Sequence, residues 1–273
     1  MTNRFAPYPS VSRPTRMEMQ CGSFSQDPDQ DALLLGTRFI GLFGAVDSVR
    51  DMGFMPGAMP ADLAARANDE LAERLKTNAQ LYDQKTQEYL QTTVHPKYVP
   101  GGGIRNLIAK TFSMTDARGS AVLGLGHLTG DKLDYCLLGN ITLYLFRRTC
   151  YKGVRLVDCI SGHIRGGVPD QCYMPSSSWQ SFTYVEETFA PAVFNKIKPL
   201  MPDDTIIFAG HGVTNNVGDA RVTQMVTEAF EKNQSPDELS RALVACAAAN
   251  SISSQSGTPS NLTCAVGYMC PLS

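Results

Sequence analysis

An α+β fold, with sheets inside and antiparallel helix pairs outside, is predicted by three observations. Apolar runs of strand length recur near the start, in the middle and at the end of the chain. Two separate stretches each carry a consecutive pair of helical patterns. Strands and helix pairs are segregated along the sequence, which favours layered packing over alternating strand–helix units. With no internal repeat and no low-complexity tract, residues 21–273 are expected to form one domain behind a flexible arm, 1–20.

The elements follow in order. DALLLG (31–36) and FIGLFGAV (39–46) read as two short strands joined by a tight turn at Gly36-Thr37-Arg38. A stretch rich in Gly, Met and Pro then leads to Pro60, whose missing N–H suits the first helical position. Leu63, Ala67, Leu71 and Leu75 recur every four residues, so one apolar stripe is expected as far as about Leu90. Pro96, Pro100 and Gly101-Gly102-Gly103 break the pattern before a second helix marked by Ile104, Leu107, Ile108 and Phe112. A short break between consecutive helices predicts an antiparallel pair.

The period then changes. SAVLGLGHL (120–128), LDYCLLGNITLYLF (133–146) and VRLVDC (154–159) read as strands, with a hairpin at Gly130-Asp131. Residues 160–195 are irregular. DTIIFAG (204–210) is a continuous apolar strand that ends in a glycine-rich turn and leads to a helix with Val222, Met225, Val226 and Phe230 on one side. Ser235, Pro236 and Glu238 form a capping box at the start of the last helix, buried through Leu239, Ala242, Leu243 and Cys246. NLTCAVGYM (261–269) closes the chain as a strand.

Composition narrows the function. The 24 Lys and Arg against 26 Asp and Glu leave no basic surplus, which excludes a nucleic-acid binder that works by phosphate neutralisation. No apolar run is long enough for a membrane span. The eight cysteines contain no Cys-x-x-Cys pair, and Cys159 with His163 is an isolated ligand-like gap, so ordinary reduced thiols are expected. Reduced thiols favour an intracellular protein, in the cytoplasm or nucleus ahead of the mitochondrial matrix. The first 17 residues carry Arg4, Arg13 and Arg16 and no acid, as a presequence would, but Pro7, Pro9 and Pro14 spoil an amphipathic helix there.

Six pieces, in order over about residues 21–269, carry a resemblance. They are Gln30-Asp31-Ala32, Phe43-Gly44-Ala45-Val46-Asp47-Ser48, Arg118-Gly119-Ser120-Ala121, Leu138-Gly139-Asn140, Ala209-Gly210-His211-Gly212-Val213-Thr214-Asn215-Asn216-Val217 and Ser260-Asn261-Leu262-Thr263. In this order and at these strand ends the chain resembles the metal-dependent Ser/Thr protein phosphatases of the PPM, or type 2C, superfamily. The resemblance implies a four-layer αββα sandwich, a central β-sandwich flanked by antiparallel helix pairs. It also implies an active centre in which carboxylates hold two Mn²⁺ or Mg²⁺ ions and activate a bridging water.

Carried over by residue, Asp47 matches the bridging aspartate, although a register ending the strand at Gly41-Leu42-Phe43 would put Gly44 there instead. Ser48 stands where the family offers a glycine carbonyl. Gln30, Asn140, His211, Asn215 and Ser260 occupy positions that are acidic in active members, and none is an acid. Asp31, Gly212 and Asn261 complete the set of vestigial metal-site positions. Two divalent ions bring four positive charges, and Asp47 with Asp31 offset at most two. The expectation is therefore a pseudophosphatase with no cofactor, no catalytic residue and no two-metal site, working as a protein-interaction, scaffold or regulatory module, with a phosphoprotein among its candidate partners. A weak Mn- or Mg-dependent phosphatase using Asp47, Asp31 and His211 is the alternative. Asp47 with His211 could hold a single transition ion, or His211 could simply fill the vacated pocket. Trp179 is either an exposed binding residue or part of a buried lid. Ser120 is expected to be structural, and Arg147-Arg148 solvated.

Overall fold

The computed structural model describes residues 17–45, 55, 57–89, 104–117, 119–149, 153–162, 164–165, 168–169, 172–174, 193–197, 199–253 and 262–271. The chain runs through β1 (Met17–Ser25), β2 (Ala32–Leu35), β3 (Phe39–Ala45), α1 (Ala58–Tyr89) and α2 (Ile104–Ser113). It continues through β4 (Gly119–Thr129), β5 (Lys132–Leu138), β6 (Thr142–Arg148), β7 (Val154–Ser161), β8 (Ile164–Arg165), β9 (Val168–Pro169), β10 (Cys172–Met174) and β11 (Val193–Ile197). The last part holds β12 (Thr205–Ala209), α3 (His211–Val217), α4 (Asp219–Glu231), α5 (Pro236–Ser253) and β13 (Thr263–Pro271).

Two antiparallel sheets carry the fold. One has the order β1-β13-β12-β6-β7, and the other β11-β5-β4-β3-β2 with β10 paired to the start of β4. Three buried clusters separate four layers. Between the sheets lie Met17, Met19, Ile40, Leu42, Ile206 and Phe208. Outside one sheet, Leu63, Ala67, Leu71, Ile108 and Phe112 of α1 and α2 pack on Phe43, Leu123 and Leu138. Outside the other, Val222, Val226, Leu239 and Leu243 of α4 and α5 pack on Phe146, Ile207 and Val266. This is the layered α+β sandwich that the sequence predicts. The apolar strands 39–45, 119–129 and 205–209 are buried on both faces, which is why they read as continuous runs.

Three features depart from the sequence reading. First, four residues assigned to the arm belong to the sheet, because β1 begins at Met17, paired with Pro271. Its alternation is short and partly polar: Met17 and Met19 face inward between Glu18 and Gln20. Second, the run 133–146 is split between the two sheets. It breaks at Gly139, where φ is 79°, and crosses from one sheet to the other. Third, residues 160–195 are not wholly irregular, since β10 pairs Cys172 with Ala121 and Met174 with Gly119, and β11 pairs Val193–Ile197 with β5.

The capping box forms as expected. Glu238 Oε2 accepts from the Ser235 N–H at 2.7 Å, and the Glu238 N–H donates to Ser235 Oγ at 3.3 Å. The Ser235 N–H, together with the Ser235 hydroxyl that donates to the same oxygen at 3.0 Å, holds the exposed Glu238 carboxyl below the usual carboxylate range. Helix α5 then starts directly on β1, with the Ser23 N–H donating to Asp237 Oδ1 at 3.0 Å. A methyl group on Gly22 would sit 2.2 Å from the Asp237 backbone nitrogen. Gly22→Ala must displace the helix start, and it is expected to cost about 1–3 kcal/mol. A lowered urea midpoint at unchanged m-value is the check.

Candidate functional site

The strand registers bring the matched segments to one end of the sandwich. Ser25, the last residue of β1, lies opposite Thr263, the first of β13. Ala209, the last of β12, lies opposite both Thr142 and Cys264, and the Gly210 N–H donates to Thr263 O at 2.9 Å. Ala45, at the end of β3, lies opposite Ala121 of β4. The Gly139-Asn140 crossing joins this end through Gly162, whose N–H donates to Ile141 O and which has no room for a side chain beside the Gly139 carbonyl. Thr142 and Ser161 share a hydroxyl hydrogen bond of 3.0 Å there.

Asp31 is buried at this end, immediately before β2. Its Oδ1 accepts the Ala45 N–H at 3.0 Å, and its Oδ2 accepts from Thr263 Oγ1 and lies 3.5 Å from Ser25 Oγ. Burial raises its carboxyl above the ordinary value, and these hydrogen bonds act in the opposite direction. Gln30 is half-buried and donates its side-chain amide to Asp27. Asn140 is half-buried at the crossing.

His211 opens α3, a short helix where the sequence suggests only a glycine-rich turn. It is half-buried, and burial lowers its imidazole below the ordinary value, so the ring is neutral at neutral pH. Its Nε2 lies 2.6 Å from Asn215 Nδ2, one helical turn on, and the neutral ring accepts from that amide. Gly212, the next residue, is buried. Asp47, Ser48, Ser260, Asn261, His95, His163 and Trp179 lie outside the described residues.

Other sequence candidates resolve locally. Ser120 is buried in the β4 ladder, with Tyr173 of β10 as its partner across strands. Cys136 and Cys264 are free and fully buried, and burial pushes both thiols up. Exposed Cys159 is pushed up to about 11 by desolvation, with Asp219 and Asp158 adding to the shift, so it is no ready nucleophile. Arg147 corrects an expectation: it is not solvated. Its Nε and Nη2 donate to the two oxygens of Asp204 at 2.8 and 2.7 Å, and Nη2 also donates to Pro199 O at 2.9 Å. Arg148 remains exposed, its guanidinium 5.8 Å from the centre of the Phe230 ring. Sequence reasoning misses the Arg147 role because Asp204 is 57 residues away.

No protein-family model matches the sequence, and no curated protein sequence matches it. Solved structures do match. The photosystem II phosphatase PBCP superposes with a TM-score of 0.63 at 15% identity, over 93% of this chain and 100% of that one. The chain has the PPM phosphatase fold. The Mycobacterium tuberculosis serine/threonine phosphatase PstP/Ppp gives 0.54 at 12% identity, over 92% of this chain and 98% of that one. The catalytic domain of the serine/threonine phosphatase PstP, in complex with two manganese ions, gives 0.51 at 13% identity, over 93% and 99%.

That manganese complex overturns the expectation of no cofactor. A protein with the PPM fold holds two manganese ions, so absence of metal is not what this fold leads one to expect. The described side chains at the matched positions are another matter. Asp31 directs both oxygens to internal donors, His211 and Asn215 bond to each other, and Gln30 bonds to Asp27. Among the described residues, no group of three or more His, Cys, Asp or Glu side chains is placed to hold an ion. Asp31 is the one carboxylate that the described residues supply at the matched positions, and Asp47 lies outside them. No helix among the described residues is long and apolar enough to cross a membrane.

Proposed function

We propose that this chain is a pseudophosphatase on the PPM fold, acting through protein contacts as a scaffold or regulatory module. The observation that carries the reading is the His211–Asn215 pair. At the end of β12, where the family resemblance places two carboxylates, an imidazole and an amide satisfy each other at 2.6 Å. Neither brings negative charge to offset a divalent ion, and the ring's lone pair is already engaged. The partner is a protein, and a phosphoprotein is among the candidates. Free thiols at Cys21, Cys136, Cys159, Cys246, Cys264 and Cys270 support an intracellular setting.

The second reading, a weak Mn- or Mg-dependent Ser/Thr phosphatase using Asp47, Asp31 and His211, is favoured by the two-manganese PstP complex on the same fold. One experiment separates the two. Purified protein is assayed with Mn²⁺ on a phosphopeptide and on an aryl phosphate, while Mn²⁺ uptake is followed by calorimetry. The expected result is no turnover above that of the Asp47→Ala variant. Turnover that disappears in that variant would sink the pseudophosphatase reading. Affinity purification from cells then names the partner.

A further inference from the structure

We infer that Asp31 is a positioning residue, a latch between the two sheets, and does not ligate metal. One carboxylate reaches three strands. Oδ1 takes the N–H of Ala45, the final residue of β3 in one sheet. Oδ2 takes the hydroxyl of Thr263, the first residue of β13 in the other sheet, and lies beside Ser25, the last residue of β1. Ser25 and Thr263 are directly opposed across their ladder, with their hydroxyl oxygens 2.9 Å apart, so the carboxylate meets a preformed pair.

The placement gives the latch its consequence. Two residues beyond Ala45 is Asp47, and two and three residues before Thr263 are Asn261 and Ser260. The chain reaches those positions from strand ends that Asp31 holds together. Both oxygens are oriented by these donors, and turning the carboxylate away from them toward an ion would release a buried backbone N–H or a buried hydroxyl. Each is costly to leave without a partner. Hydrogen bonds of this kind define where a neighbouring segment begins, in the way outer partners orient a ligand without touching the ion. The latch does not depend on whether the cleft turns over a phosphoester, so it stands or falls separately from the pseudophosphatase reading.

The test compares Asp31→Asn and Asp31→Ala in the full chain. Asparagine is isosteric, and its carbonyl can accept from Ala45 while its amide donates to Thr263. The readouts are amide hydrogen exchange at Ala45 and calorimetry with manganese chloride alone. Asp31→Asn is expected to keep Ala45 protection and to give the wild-type manganese isotherm. Asp31→Ala is expected to speed exchange at Ala45 by about 10- to 100-fold. If Asp31→Ala fails to fold, Thr263→Val removes the hydroxyl donor while preserving the strand, and faster Ala45 exchange is again expected. Unchanged Ala45 protection in the folded variant would overturn the latch. So would a weakened manganese isotherm in Asp31→Asn with Ala45 still protected, because it would make the carboxylate a ligand.

Discussion

Replacing Arg147 by methionine is expected to lower folding stability by about 3–5 kcal/mol, among the largest losses available to a single substitution in this chain. Asp204 is fully buried, and its carboxylate is balanced by the Arg147 fork, two parallel bonds of 2.8 and 2.7 Å, with the Met201 N–H as a third donor at 2.8 Å. Methionine fills much of the volume but leaves a buried charge with one neutral donor, and it frees the Pro199 carbonyl as well. The large term is thus the uncompensated carboxylate, not the attraction that was lost. Two further variants isolate it. Arg147→Lys keeps the charge without the fork and should recover only part of the loss, since a point charge cannot serve both oxygens and Pro199 together. Adding Asp204→Asn to Arg147→Met should restore stability relative to Arg147→Met alone, because the charge that made the gap costly is gone. Urea unfolding reads all three. A double variant no more stable than Arg147→Met would mean that the cost lies in packing.

This ion pair lies at the end of β6 opposite Thr142, far from the matched segments. It pins the turn before β12, where the Asp203 N–H donates to Met269 O and the Met269 N–H to Asp204 O, each at 2.9 Å. The sandwich is therefore tied by buried carboxylates at both ends, Asp204 at one and Asp31 at the other. The two residues look alike in the sequence, each an acid preceding an apolar strand. Only their partners distinguish them.

What could be read from the sequence follows the range of the interaction that decides it. The strands buried on both faces are legible because every residue in them is apolar, and helix α1 is legible because Leu63, Ala67 and Leu71 repeat with the helical period. The Ser235–Glu238 box is legible because its two members are three residues apart. Strand β1 is not, since Glu18, Gln20 and Ser23 dilute its alternation and its identity as a strand comes from pairing with β13. The break at Gly139-Asn140 is hidden for a similar reason: nothing local says that β5 and β6 lie in different sheets. At the candidate site, the resemblance tells which positions to compare with the family's carboxylates. It does not tell their bonding, because Asp31 finds its donors 14 and 232 positions away.

Phe208→Ala is expected to cost about 3–5 kcal/mol as well, for a reason visible in the glycines of the opposite sheet. Phe208 is fully buried in β12, a central strand, and its ring occupies the space where Gly124 of β4 would carry a side chain. A methyl group on Gly124 would lie 2.6 Å from Phe208 Cδ1 and 2.8 Å from Ile141 Cγ2, and one on Gly126 would lie 3.2 Å from Phe208 Cζ. The two glycines are therefore the floor on which the ring lies. Removing the ring leaves a void that the floor has no atoms to fill, which places the loss toward the severe end for a core aromatic. The same geometry predicts a reciprocal effect. Gly124→Ala alone overpacks the sandwich and should cost about 1–3 kcal/mol. In the Phe208→Ala background the added methyl enters the void, so the same change should become neutral or stabilising. A double-mutant cycle by urea unfolding measures that change of sign. Additive losses would mean that the two sheets adjust their spacing around the ring. In that case the positions of Gly210 and His211, which follow β12 directly, would shift with it. A change of sign would mean that the spacing is fixed by the rest of the core and that the site-end segments are held by a rigid frame.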